Sequence, residues 1–224
     1  AALGASEVMD RTEGTGGWRA HVSHPELCPG QTCLDGINTV TCEPITCCSE
    51  PLLIAGVIDG DLNGGYPKGV ELYACAPIPD LSVYGLGSAN NGGGSDGQEV
   101  FLPALSVSAG ERIYVGAAPD GWYGVFGFTP DYSDGDMDVN GNDAIELYRD
   151  GVVIDLFGSI DDNGAGTAWD YSDGYAYRDS HTGPNHGSFD PGRWTVASGG
   201  LAAIDEATAS SVVSDVFGAY SCTP

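Results

Sequence analysis

The chain is poor in positive charge. Seven Lys and Arg stand against 32 Asp and Glu in 224 residues, for a formal net charge of -25. Phosphate binding needs clustered Lys and Arg, so nucleic acid is excluded as an expected partner, and an anionic membrane surface is disfavoured for the same reason. A compact state this acidic repels itself, and it tolerates the charge through dispersed surface placement, salt or bound divalent cations.

Long hydrophobic runs are also lacking. The longest, Leu52 to Ile58, suits one buried strand and falls far short of the ~20 apolar residues that span a bilayer. Membrane insertion is therefore not expected. The opening AALGASEV has neither the basic start nor the apolar stretch of a signal peptide. No N-x-S/T sequon or C-x-x-C pair occurs. These absences remove N-glycans and the usual zinc modules from the expectations. Of the four histidines, His21 and His24 lie just upstream of a cysteine cluster, and His181 and His186 sit in the Gly/Pro-rich SHTGPNHGSF. None falls in a recognisable catalytic arrangement, so no enzyme activity is expected.

Glycine and cysteine are present in force. Glycine numbers 35, roughly twice the usual share, and much of it sits in turn dipeptides. Asp-Gly or Asn-Gly occurs eleven times, mostly between short β-rich segments. That pair suits turns with positive φ, as in tight hairpins. Seven cysteines, Cys28, Cys33, Cys42, Cys47, Cys48, Cys75 and Cys222, are disulfide candidates and favour an extracellular address. The odd number leaves one thiol free or bonded to another chain, and the connectivity is open.

Two regions follow. Residues 1–50 form a Cys-rich, loop-dominated arm without sustained periodicity. From residue 51 to 224 the texture is that of an all-β domain. Strands are expected over 52–58, 69–74, 81–86, 99–101, 112–117, 144–148, 152–157, 174–178 and 193–196. In NGNDAIELYRDGVVIDLFG, two alternating segments flank Asp150-Gly151 and read as a hairpin, with Glu146 and Asp155 as face or edge carboxylates. No convincing amphipathic helix is seen, and AAIDEATASSVVSDVF reads as coil or a single turn.

The succession LLIAGVIDGDLNGGYPKGVELYAC, DLSVYGLGSANNGGGSDGQEVFLP, LSVSAGERIYVG, MDVNGNDAIELYRDGVVIDLFG, WDYSDGYAYRD and RWTV resembles the lamin-tail-like domain, in its secreted microbial branch. The resemblance covers about residues 51–221. It implies an immunoglobulin-like β-sandwich and an accessory role as an interaction module, alone or beside secreted enzymes. The arm before residue 51, together with Cys75 and Cys222, departs from that pattern.

Three groups of site residues arise. DGDLNGG and DMDVNG each begin as a calcium loop does, placing Asp59, Asp61 and Asn63 in one and Asp136, Asp138 and Asn140 in the other. Neither has its closing carboxylate in register, so calcium is optional to the reading and no cofactor is required. Trp169 and Tyr171 near Asp170 and Asp173, and Trp122 and Tyr123 after Asp120-Gly121, are carbohydrate-stacking candidates, with Trp122 and Tyr123 expected at a loop tip. Lys68 is the only lysine, so an internal lysine-carboxamide cross-link has one available amine.

The leading expectation is a non-enzymatic extracellular structural or interaction protein, a homo-oligomer or partner of other extracellular proteins. The arm could assemble it into a filament by strand addition. The rivals are a polysaccharide-binding or adhesion module, calcium-dependent or not, and an accessory domain of a secreted hydrolase.

Overall fold

The computed structural model describes residues 9–11, 18–20 and 49–222. The chain divides into two compact units, Ala1–Thr46 and Cys47–Pro224. In the first, β1 (Met9–Arg11) pairs antiparallel with β2 (Trp18–Ala20).

The second unit is mostly strand. It contains β3 (Leu52–Leu62), β4 (Tyr66–Ala74), β5 (Tyr84–Ala89), β6 (Val100–Phe101), β7 (Arg112–Gly116), β8 (Tyr132–Ser133), β9 (Ala144–Arg149), β10 (Val152–Phe157), β11 (Gly174–Arg178) and β12 (Trp194–Ala197). Two short helices complete it, α1 (Pro119–Phe126) and α2 (Glu206–Ser214). One sheet has the order β12-β11-β3-β4-β7-β8 and the other β10-β9-β5-β6. All pairings are antiparallel except β7 with β8.

Both sheets feed one core. Leu52, Ile54, Val57, Val70 and Leu72 of the six-stranded sheet join Leu86, Ile145, Leu147, Leu156 and Phe157 of the four-stranded sheet in a single buried cluster. Non-directional burial of apolar area is the main force holding such layers together. A second cluster forms where Trp122 and Val125 of α1 meet Ile58, Leu201, and Ala209 and Val213 of α2.

The hairpin of β9 and β10 forms as its alternation predicts. Asp150 and Gly151 both take positive φ, 50° and 76°, which matches the two-residue turn that right-twisted strands prefer. Other segments differ from the sequence reading. β3 runs on to Leu62, so Asp59 and Asp61 lie in a strand and not in a loop. The bend comes at residues 63–65. Leu81–Val83 is a 3-10 turn, because the Asp80 carboxylate accepts the Ser82 N–H and diverts the chain before β5. α1 replaces the expected loop tip at Trp122. α2 replaces the expected coil, with Asp205 capping it by accepting the Thr208 N–H at 2.8 Å. Glu146 and Asp155 are buried, being 2% and 0% exposed, although Asp155 lies in β10 at the edge of its sheet.

Candidate functional site

Among the described residues, three of the chain's few cations sit at buried carboxylates, and each of these nodes joins separate elements.

The first node lies between the sheets. Arg178, in β11, sends Nε to the Ile54 carbonyl at 2.6 Å and a second nitrogen to Asp155 Oδ2 at 2.5 Å. Its remaining amine group donates to the Gly183 carbonyl at 2.7 Å. Asp155, in β10, also accepts the Ile54 N–H at 2.9 Å and the Asn185 N–H at 3.1 Å. Ile54 borders an irregularity in the β3–β4 register. One side of the Arg178 guanidinium stacks over Trp194 at 4.6 Å. Burial pushes the Asp155 carboxyl upward, against the pull of Arg178 and the two amides. A groove of ≈ 320 Å³ opens beside this node, lined by Arg178, Asn185, Asp190, Arg193 and Trp194. Each nitrogen of the Arg178 guanidinium beside the groove already makes one hydrogen bond.

The second node ties the C-terminal tail to the six-stranded sheet. Glu71 of β4 accepts Arg112 Nε at 3.1 Å and the Gly218 N–H at 2.8 Å, while Arg112 also donates to the Tyr220 carbonyl. Burial raises the Glu71 carboxyl to about 7, and Gly218 and Arg112 oppose the shift. The unfolded chain binds this proton only below its ordinary value of 4.5. The stability linked to Glu71 is therefore full below that value and is lost as the pH rises through about 7. Glu71→Gln is expected to remove roughly 3 kcal/mol of the stability difference between pH 4.5 and pH 8, measured by urea unfolding at each pH. An identical pH slope in both proteins would contradict the assignment.

The third node gathers half of the calcium candidates. Asp59 and Lys68 are cross-strand partners in β3 and β4. Lys68 Nζ lies 3.3 Å from Asp59 Oδ1, 3.4 Å from Asp138 Oδ1 and 2.8 Å from Asn140 Oδ1. The oxygens of the two calcium-like starts thus converge on an ammonium group. Asp59 Oδ2 accepts the Gly141 N–H at 2.7 Å. Asp143, fully buried, holds the same loop by accepting the Asn140 and Asn91 N–H groups, each at 2.8 Å. Burial raises the Asp59 carboxyl, with Lys68 opposing. The remaining candidates do not join them. Asp61 accepts the Ala203 N–H, Asn63 is exposed in the β3–β4 turn, and Asp136 is exposed in a short 3-10 turn. Among the described residues, no group of three or more His, Cys, Asp or Glu could hold a metal ion.

The aromatic candidates are mostly core. Trp169 is 6% exposed, Tyr171 and Trp122 are 0%, and Tyr123 alone stands out at 58%. Trp169 and Tyr171 pack edge-on against Phe157, while Trp122 stacks on Phe126 with centroids 4.4 Å apart. Their rings are thus engaged in packing, which is where large apolar area is worth most. His181 and His186, both with positive φ, hold a loop: their N–H groups donate to the Ser221 and Ile154 carbonyls.

Cys28, Cys33, Cys42, Cys47 and Cys48 lie outside the described residues, as do His21 and His24. Cys75 and Cys222 pack on one cluster with Leu53, Ala55, Tyr73 and Tyr220. No helix among the described residues is long and apolar enough to cross a membrane.

Comparison with protein families, with curated proteins and with solved structures returned no match. The nodes around Arg178, Arg112 and Asp143 escaped the sequence reading. Their one signal was rarity: with seven cations in the chain, an arginine at the end of an alternating strand such as GYAYR is conspicuous.

Proposed function

We propose that this protein is a non-enzymatic extracellular structural or interaction module, built as an immunoglobulin-like sandwich of the lamin-tail-like type. The observation that carries the reading is the employment of buried charge. Asp155, Arg178, Glu71, Lys68 and Asp59 each bond across strands or between segments distant in sequence. A buried ion pair contributes little net stability against an apolar substitute, but it penalises every arrangement that separates its members. Groups arranged this way hold a shape. The acidic surface and the cysteine content support an address outside the cell.

Assembly through the N-terminal arm is part of the proposal. Deleting residues 1–45 and measuring particle mass by light scattering tests it. The full chain is expected as an oligomer and the shortened chain as a monomer. Monomers in both preparations would end the assembly reading.

A further inference from the structure

The third node has the composition of a self-modifying site. The single lysine of the chain points its amine at a carboxamide oxygen, and a buried carboxyl group stands beside the amine and the next backbone N–H of the same loop. We propose that Lys68 Nζ and Asn140 Cγ join in an intramolecular isopeptide bond, with Asp59 shuttling the proton.

Three features favour this geometry. The Lys68 and Asp59 side chains are each only 9% exposed, so water competes little for either. The Asp59 carboxylate is oriented: Oδ2 takes the Gly141 N–H, which leaves Oδ1 towards the amine. Asn140 is fixed from behind, since its N–H binds Asp143 and its carbonyl accepts the Asp143 N–H at 2.9 Å. Gly141 makes that approach feasible. A Cβ there would come within 2.0 Å of the Ser172 nitrogen, so a glycine is what lets the loop lie this close. Holding reactants at contact distance replaces an encounter with a unimolecular step. Asn140 itself is exposed, which gives the leaving group a way out.

The step balances without an oxidant or cofactor. The Lys68 ammonium passes one proton to Asp59, and the neutral amine attacks Asn140 Cγ, forming the new C–N bond. Asp59 delivers its proton to Nδ2 and takes the next from Nζ. The C–Nδ2 bond breaks, ammonia departs, and Asp59 is left protonated. The product ties β4 of one sheet to the segment that enters β9 of the other. Asp138, 58% exposed, lies on the open side of the amine and has no part in the transfer.

Intact mass of the full chain, reduced and denatured, tests the proposal, followed by sequencing of its proteolytic peptides. The wild-type protein is expected one ammonia below its sequence mass, with a branched peptide joining residues 68 and 140. Lys68→Arg and Asn140→Ala are expected at full sequence mass, and Asp59→Asn at full mass or with the loss greatly slowed. The Asn140-Gly141 pair can also lose ammonia as a succinimide, which hydroxylamine cleaves and which needs no lysine. Ammonia loss that persists in Lys68→Arg therefore overturns the proposal. So does a wild-type chain that melts cooperatively yet has its full mass. Loss of one water instead of ammonia, placed at Asp59 or Asp138, overturns the assignment to Asn140. If Asp59→Asn fails to fold, the Lys68→Arg and Asn140→Ala arms still decide.

Discussion

Replacing Arg178 with Met is expected to destabilise the protein by about 3–5 kcal/mol, the range for removing one member of a buried ion pair. The unbranched apolar side chain of Met replaces the arginine stem, so the loss is chiefly one of charge and hydrogen bonds. It strips Asp155 of its counter-ion at 0% exposure, leaving it only the Ile54 and Asn185 N–H groups. It also leaves the Ile54 and Gly183 carbonyls without the donors they now have. The sign of the pH response is fixed by Asp155, whose carboxyl is already pushed upward by burial. A group of this kind contributes stability at low pH and loses it as the pH rises. The Arg178→Met penalty should therefore shrink on acidification, and Asp155→Asn in the same background should recover part of it at neutral pH. Urea unfolding at several pH values reads all three effects. A loss below about 1 kcal/mol, independent of pH, would mean that the pair does not hold the sheets together.

Phe157→Ala should cost as much, about 3–5 kcal/mol. Phe157 is fully buried and meets Trp169, Tyr171, Phe189 and Trp194 with ring centroids 4.7–6.2 Å apart. Four large, stiff neighbours from two stretches of chain cannot readily collapse into the space it leaves, which places the cost toward the upper end. Because domains of this size are stable by only about 5–15 kcal/mol, the variant should sit near the edge of folding. A loss under about 2 kcal/mol would indicate a core loose enough to repack.

The strands were legible where local chemistry and burial agree. The β9–β10 hairpin announces itself through Asp150-Gly151 and its alternating flanks, and it forms with both turn residues at positive φ. α1 did not announce itself. Gly121 and Gly124 make PDGWYGVF a poor helix by propensity, and burial of Trp122 and Val125 overrides that. Gly121 is there for closeness, since a Cβ would stand 2.4 Å from that of Tyr66. β8 has two residues and takes its place from pairing with β7, which no local pattern encodes.

The candidate site was legible in halves. DGDLNGG and DMDVNG were read as two separate cation loops, because sequence spacing describes one segment at a time. In the fold Asp59 comes from the first, Asp138 and Asn140 from the second, and the cation between them is Lys68. The lone lysine is plain in the sequence, but its partner lies 72 positions away and only the packing of β4 against the loop before β9 reveals it. The aromatic candidates misled for a related reason. Trp122, Trp169 and Tyr171 suit a sugar face and a core equally well by residue type, and burial assigns them to the core.

The central claim is that the two sheets form one cooperative body, sharing a core and tied by buried charges. Hydrogen exchange of the full chain in the native state tests it most directly. The amides of β3 and β4 in one sheet and of β9 in the other should exchange slowest, with a common free energy, and Arg178→Met should lower that value equally in all three. Slow exchange in β3 and β4 with β9 opening independently at much lower free energy would contradict it.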